Sequence, residues 1–113
     1  MFLLFEPARL PLAPEDLAAG AVRNLRDEPG VRARLAQAFD RLEWVSERGA
    51  SAEAGGQWYE VGFPEVDDST VTLRCSLRAD HAPFIQALCD RTGWVAFDEH
   101  PRCFQPHRPP FAA

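Results

Sequence analysis

The chain has 113 residues, and hydrophobic residues make up 46% of them, which indicates a folded domain and argues against a disordered segment. The 12 basic residues against 17 acidic ones give a net charge of −5, and this disfavours nucleic-acid binding because that function needs clustered cations. All 12 cations are arginine, a bias that we interpret as the codon usage of a GC-rich bacterial genome.

The cysteines and the apolar runs indicate the cellular compartment in which we expect the protein. Cys75, Cys89 and Cys103 are odd in number and widely spaced, which is a poor basis for a disulfide framework. The apolar run at residues 2–5 is too short for a secretory signal, and no run approaches the ~20 apolar residues of a membrane span. We therefore expect a cytoplasmic protein with reduced thiols and no membrane partner.

The first third of the chain predicts one strand followed by two helices. Residues 2–6 begin with four apolar side chains and are typical of a short buried strand, and Pro14 suits the first turn of a helix. Two sets of apolar residues then recur at helical spacing, namely Leu17, Ala21, Val22 and Leu25 in the first helix and Val31, Leu35, Ala38, Phe39 and Leu42 in the second. Pro29 and Gly30 separate the two sets.

The middle of the chain predicts three strands. Residues 43–48 are interpreted as a strand, whereas residues 49–56 are small, polar and rich in glycine and are interpreted as a mobile loop. Residues 57–63 and 70–78 each alternate apolar with polar side chains. The short link between these two strands predicts an antiparallel hairpin.

The last third predicts a helix, a strand and a tail. Asp80 can cap a helix that Gly93 ends, and residues 94–98 form a strand. Residues 99–113 contain four prolines, so we expect no helix and no central strand there. This pattern divides the chain into a single α+β domain at residues 1–98 and a proline-rich tail at residues 99–113 that packs on the surface or is mobile.

The order of elements favours an α+β fold. We expect a mainly antiparallel sheet of four or five strands with two or three helices on one face, in the order β-α-α-β-β-β-α-β. Because β-α-β occurs near both ends of this order, the arrangement is similar to the ferredoxin-like sandwich.

Five residues are candidates for binding a partner protein. Alternation places Trp58 on the polar face of its strand together with Glu60, and an exposed tryptophan is a typical anchor for a partner. The alternative is that Trp58 packs beneath the proline-rich tail. Glu65, Asp67 and Asp68 follow in the next turn, where they either add negative charge for a cationic partner or serve as ordinary turn residues.

One further set of residues has the spacing of metal ligands. It consists of Asp98, His100, Cys103 and His107, and imidazole and thiolate are good ligands for zinc or copper. The competing interpretation, which we adopt, is a surface tail with scattered polar side chains. We therefore expect no metal and no other cofactor.

The chain has no nucleophile elbow and no phosphate-binding glycine loop, so catalysis is not the function we expect. We expect a small protein-binding module, in its sharper form an inhibitor or immunity-type protein that presents an acidic face to a basic toxin or enzyme. The alternatives are a small-molecule-binding regulatory domain and an enzyme with a dispersed active site. A homodimer through the sheet edge is a further expectation.

Overall fold

The computed structural model describes residues 1–112 as one sheet with three helices. The strands are β1 (Phe2–Pro7), β2 (Val22–Asn24), β3 (Arg41–Trp44), β4 (Gly49–Ala54), β5 (Gln57–Gly62), β6 (Thr72–Cys75), β7 (Val95–Phe97), β8 (Arg102–Gln105) and β9 (Arg108–Ala112). The helices are α1 (Pro14–Ala18), α2 (Pro29–Ala38) and α3 (Ala82–Thr92). Of the helices in this range, none has the length and apolar character needed to cross a lipid bilayer.

The sheet is antiparallel throughout, and its order is β3-β4-β5-β6-β1-β7-β8-β9. β1 lies inside the sheet because residues 2–3 pair with β6 while residues 3–5 pair with β7 on the other edge. β2 pairs with residues 5–7 of β1, on the same side as β6. The first strand of the chain therefore joins the meander β3–β6 to the meander β7–β9.

The fold class expected from the sequence is wrong. Residues 1–112 form a nine-stranded antiparallel sheet with three short helices of 5, 10 and 11 residues, not four or five strands with all helices on one face. The ferredoxin-like arrangement therefore does not describe this chain. The additional strands arise in three stretches where the sequence suggested a loop, a helix and a tail.

The expected loop at residues 49–56 contains β4, which pairs with β3 on one side and β5 on the other. Its three alanines are buried, while Ser51 and Glu53 face the other way, so a period of two is present. Alanine is a weak strand former, and its small apolar side chain is all that marks the buried positions. The composition therefore resembles that of a loop.

The first expected helix is only five residues long, and β2 follows it. Gly20 stands between them with a φ of 70°, a left-handed conformation that glycine adopts without the steric penalty of a Cβ atom. Leu17, Ala21 and Val22 do pack in one cluster, as their spacing suggested, but Leu17 belongs to α1, Val22 belongs to β2 and Ala21 lies between these elements.

The expectation that residues 99–113 form no central strand is also wrong. β8 and β9 form a hairpin, and β8 lies between β7 and β9 with its last three residues buried. Pro109 and Pro110 lie in β9, at the end of the sheet order, where a strand has one free edge and a missing N–H group is tolerated.

Both faces of the sheet carry a core. The main core lies beneath α2 and α3, and its largest fully buried side chains include Trp94, Tyr59, Phe104, Leu4 and Leu35. A second, smaller core on the opposite face contains Leu12, Ala21, Val95 and Cys103, with α1 packed against it through Leu17.

Three expectations for the second half of the chain are confirmed. β5 and β6 pair as an antiparallel hairpin, and β7 follows α3. Gly93 ends α3 in a left-handed conformation, and its N–H donates to the Cys89 carbonyl oxygen at 2.9 Å. The helix cap differs in detail, because His81 occupies the cap position while the Asp80 carboxylate accepts a hydrogen bond from the Ala82 N–H at 3.0 Å.

Candidate functional site

The surface of β3–β6 that faces away from α2 and α3, called the outer face below, is the part of the sheet that no helix of residues 1–112 covers. Strand alternation and register give its composition. Its side chains are those of Arg41, Glu43, Ser51, Glu53, Trp58, Glu60, Thr72 and Arg74. Gly49 and Gly62 are directly opposite each other on this face and contribute no side chain.

Trp58 is the large apolar residue of the outer face, and 59% of its surface is exposed. Tyr59 and Val61, its neighbours on the other side of β5, are buried in the main core. The outward orientation expected from the alternation is confirmed, and the alternative that Trp58 packs beneath the C-terminal residues is wrong. An exposed tryptophan on a rigid strand is well suited to contact another molecule.

The Trp58 side chain lies between two shallow clefts. The smaller one, of about 50 Å³, is lined by Arg41, Glu43 and Glu53. The larger one, of about 250 Å³, is lined by Glu60, Arg74 and residues at the start of the following loop. A group placed on either side of the Trp58 side chain therefore lies beside a glutamate.

The charges of the outer face are three carboxylates and two guanidinium groups. Glu53 is directly opposite both Arg41 and Trp58 in the strand register, and Glu60 is directly opposite Arg74. The one ion pair formed by these five groups within residues 1–112 joins Arg41 to Glu43 at 3.4 Å, between two well-exposed side chains. Such exposed pairs are weak. Glu53 and Glu60 thus keep negative charge on both sides of Trp58.

The structure separates the other predicted binding residues from Trp58. Glu65, Asp67 and Asp68 lie in the turn at residues 64–69, at the opposite end of β5, and six residues of strand span roughly 20 Å. Two arginines hold this turn through its backbone: Arg26 donates to the carbonyl oxygens of Val66 and Ser69, and Arg48 donates to that of Pro64. Trp58 and Glu60 are therefore together, and the acidic turn is a separate surface.

The candidate metal ligands also lie apart. Cys103 is buried in the second core, whereas the Asp98 carboxylate binds Arg102 at 2.9 Å and His100 is exposed. His107 lies in the β8–β9 turn, where its backbone N–H donates to Asp90 at 2.6 Å. Residues 1–112 contain no group of three or more histidine, cysteine or acidic side chains placed to hold a metal ion.

A buried hydrogen-bond network lies behind the outer face, and the sequence did not reveal it. His81 Nε2 is 2.6 Å from the Ser76 carbonyl oxygen, which can only accept, so Nε2 carries the proton. In the neutral ring Nδ1 then accepts from the Tyr59 hydroxyl at 2.8 Å. Burial raises the pKa of Tyr59 to about 12, so its hydroxyl stays protonated at neutral pH. Nothing in the sequence identified His81 as the partner of Tyr59.

The thiols are not placed for nucleophilic chemistry. Burial raises the pKa of Cys89 to about 12, with a further contribution from Cys103, and burial raises the pKa of Cys103 to about 11. Cys75 is half-buried, and its pKa is raised as well, first by burial. Because the thiolate is the reactive form, these side chains act as small apolar groups near neutral pH.

The comparisons with known proteins add no functional residue to this geometry. No family model matches the chain, and no curated protein or solved structure matches it either.

Proposed function

We propose that this protein is a non-catalytic binding module whose outer face docks onto a partner protein. The observation that carries the proposal is the exposure of Trp58, at 59%, near the β4–β5 turn of a sheet surface without a covering helix in residues 1–112. Tryptophan is enriched among the residues that dominate binding energy in interfaces, and a strand holds it in a fixed orientation.

The partner that fits this surface has basic side chains. An arginine or lysine placed over the Trp58 ring would gain a cation–π contact, and Glu53 and Glu60 flank the ring from neighbouring positions. Charge complementarity of this kind favours a cationic cleft or loop on the partner. This chemistry fits an inhibitor or immunity-type protein that neutralises a basic toxin or enzyme, and we place the function in that class.

Titration with a tetra-arginine peptide tests the proposal on the full chain. We expect the indole N–H signal of Trp58 in ¹H–¹⁵N NMR spectra to shift saturably, while tetra-glutamate leaves it unmoved. Trp58→Ala should weaken binding by about 1 kcal/mol, or roughly fivefold, because the cation–π contact is lost. Val66→Ala is the control, since Val66 is 60% exposed but lies in the acidic turn.

A second pair of variants separates local charge from net charge. One double variant, Glu53→Gln with Glu60→Gln, removes two negative charges beside Trp58. The other, Asp67→Asn with Asp68→Asn, removes two negative charges from the acidic turn. We expect only the first pair to weaken peptide binding and to reduce its dependence on salt. Equal effects of the two pairs, or signals that shift at the acidic turn and not at Trp58, would contradict docking at the outer face.

A further inference from the structure

A second polar surface lies on the opposite side of the sheet from Trp58. It is a cleft of about 360 Å³ between β2 and the first half of α2, and it is called the arginine cleft below. Three arginines line it: Arg23, Arg26 and Arg34. Glu6, which also lines it, has the same orientation on β1 as the core residues Phe2 and Leu4, so the cleft opens on the helix side.

The arginines of the cleft are only partly engaged by neighbouring groups. Arg23 forms no ion pair and no side-chain hydrogen bond with any residue in the range 1–112, although Glu6 is its register partner. Arg26 donates through one nitrogen to two backbone carbonyl oxygens, at 3.3 and 3.2 Å, which do not neutralise its charge. Arg34 lies 3.6 Å from Glu6 in a partly exposed pair and donates to the Thr92 carbonyl oxygen at 3.3 Å. Since each guanidinium has five N–H donors, donors remain in excess.

The charge balance of the cleft differs from that of the chain. Its lining carries three arginines against two glutamates, Glu6 and Glu28, in a protein whose net charge is −5. Like charges repel one another, and guanidinium groups that line one cleft gain from an anion that they can share. The cleft is therefore a local positive site on an otherwise acidic molecule.

The backbone adds donors on one wall of the cleft. Gly30 and Val31 belong to the first turn of α2, where N–H groups have no partner within the helix, and the Glu28 side chain makes no capping bond to them. No heavy atom lies within 4 Å of the position that a Cβ atom on Gly30 would occupy, so this wall is open. These amides supplement the arginines, which carry the positive charge.

We propose that the arginine cleft binds the phosphate group of a small molecule. The guanidinium fork matches the geometry of phosphate oxygens, and bonds from charged donors to an oxyanion are stronger than bonds between neutral groups. A volume of about 360 Å³ lies within the range of small-ligand sites, and it accommodates a phosphate with a small organic group attached. This site is independent of the outer face, so either proposal can fail alone.

The test is an NMR titration of the full chain with inorganic phosphate, pyrophosphate and a nucleoside monophosphate, each against sodium chloride at equal ionic strength. We expect saturable shifts at the amides of Gly30 and Val31 that chloride does not produce. Arg23→Gln should weaken binding about tenfold or more, because it removes a charged donor without breaking a bond of the fold. Arg78→Gln is the matched control, since Arg78 is also an exposed arginine and lies outside the cleft.

Each result of the titration either supports or overturns the phosphate site. Tighter binding of the nucleotide than of phosphate would assign a phosphorylated metabolite, and equal binding would assign a bare oxyanion, both in support of the site. Shifts spread over exposed arginines in general, or equal weakening by the Arg23 and Arg78 variants, would overturn it. If Arg23→Gln lowers the unfolding temperature, Arg34→Gln provides the second variant, and unchanged affinity in both would also overturn the proposal.

Discussion

At the scale of single residues, the Tyr59–His81 pair is a buried hydrogen bond between two side chains. Both side chains are nearly inaccessible, at 1% and 6% exposure, and their rings also pack edge to face with centroids 5.2 Å apart. A buried acceptor that loses its donor keeps the cost of desolvation without the compensating bond. The pair therefore joins β5 to the start of α3 more firmly than an exposed hydrogen bond would.

Replacement of Tyr59 by phenylalanine tests this pair. Tyr59→Phe should lower the free energy of unfolding by ~1–3 kcal/mol at pH 7, because His81 Nδ1 is left without a donor. Since the pKa of Tyr59 is raised to about 12 in the folded state, the unfolded state releases this proton at lower pH. The wild type should therefore lose stability as pH rises from about 10 towards 12, and the variant should lose less.

Urea denaturation at pH 7, 10 and 11.5 measures both effects. Near-ultraviolet circular dichroism checks that the remaining aromatic packing is unchanged in the variant. Equal unfolding free energies at pH 7 would rule out a stabilising hydrogen bond at this position, and equal alkaline losses in the two proteins would contradict the raised pKa of Tyr59.

At the scale of elements, the β8–β9 hairpin depends on one turn residue and one acidic partner. His107 has a φ of 58°, which is the left-handed region, and the Asp90 side chain of α3 accepts hydrogen bonds from the His107 N–H and from Gln86. Partial burial opposes ionisation of Asp90, but these hydrogen bonds outweigh it and keep the pKa of the carboxyl below its usual value. The bond from the His107 N–H therefore connects the β8–β9 turn to α3.

Two substitutions that both remove the imidazole isolate the backbone effect at this turn. We expect His107→Val to be less stable than His107→Gly by ~1–2 kcal/mol, because a β-branched residue is disfavoured at positive φ whereas glycine is not. Thermal and urea unfolding of the two variants give the difference. Equal stabilities would mean that the turn does not hold residue 107 in a left-handed conformation in solution.

Element prediction from the sequence succeeded where side-chain size and polarity changed together. Residues 57–63 alternate large apolar with polar side chains, and the resulting strand, its partner and the outward Trp58 are as expected. β4 has the same period but only alanine on its buried side, and β9 contains two prolines that an edge strand tolerates. Those two strands depend on neighbouring strands, which local sequence does not specify.

At the scale of the whole molecule, residues 102–112 are an integral part of the sheet. Phe104 is 1% exposed in the main core, and it lies edge to face with Phe2 at 6.0 Å between ring centroids. The Gln105 side chain accepts from the Leu12 N–H at 2.8 Å and donates to the Leu12 carbonyl oxygen at 3.0 Å. Residues 102–112 therefore take part in both cores.

Two phenylalanines of the same hairpin test this role. Phe104→Ala should cost ~3–5 kcal/mol of unfolding free energy, as expected for a large side chain removed from a packed core. Phe111→Ala should cost less, because Phe111 is only half-buried and lies on the terminal strand. Urea denaturation compares them. A Phe104→Ala cost no larger than that of Phe111→Ala would mean that β8 is not packed into the core in solution.

The candidate site was predictable only within one strand. Trp58 and Glu60 are two residues apart, so period-two alternation places them on one face without knowledge of the fold. Their separation from Asp67 and Asp68 depends on the length of β5, and the pairing of Glu53 with Trp58 depends on β4, which the sequence did not indicate. The arginine cleft likewise combines residues of β2, α2 and the segment between them.

The central position of β1 sets an order for folding. Residues 2–5 pair with partners at residues 72–73 and 95–97, whereas β3–β6 pair through short connections along the chain. Contacts between distant parts of a chain form more slowly than local ones, since a long loop must close first. During synthesis the β3–β6 strands are therefore complete before β7, the partner on the other edge of β1, leaves the ribosome.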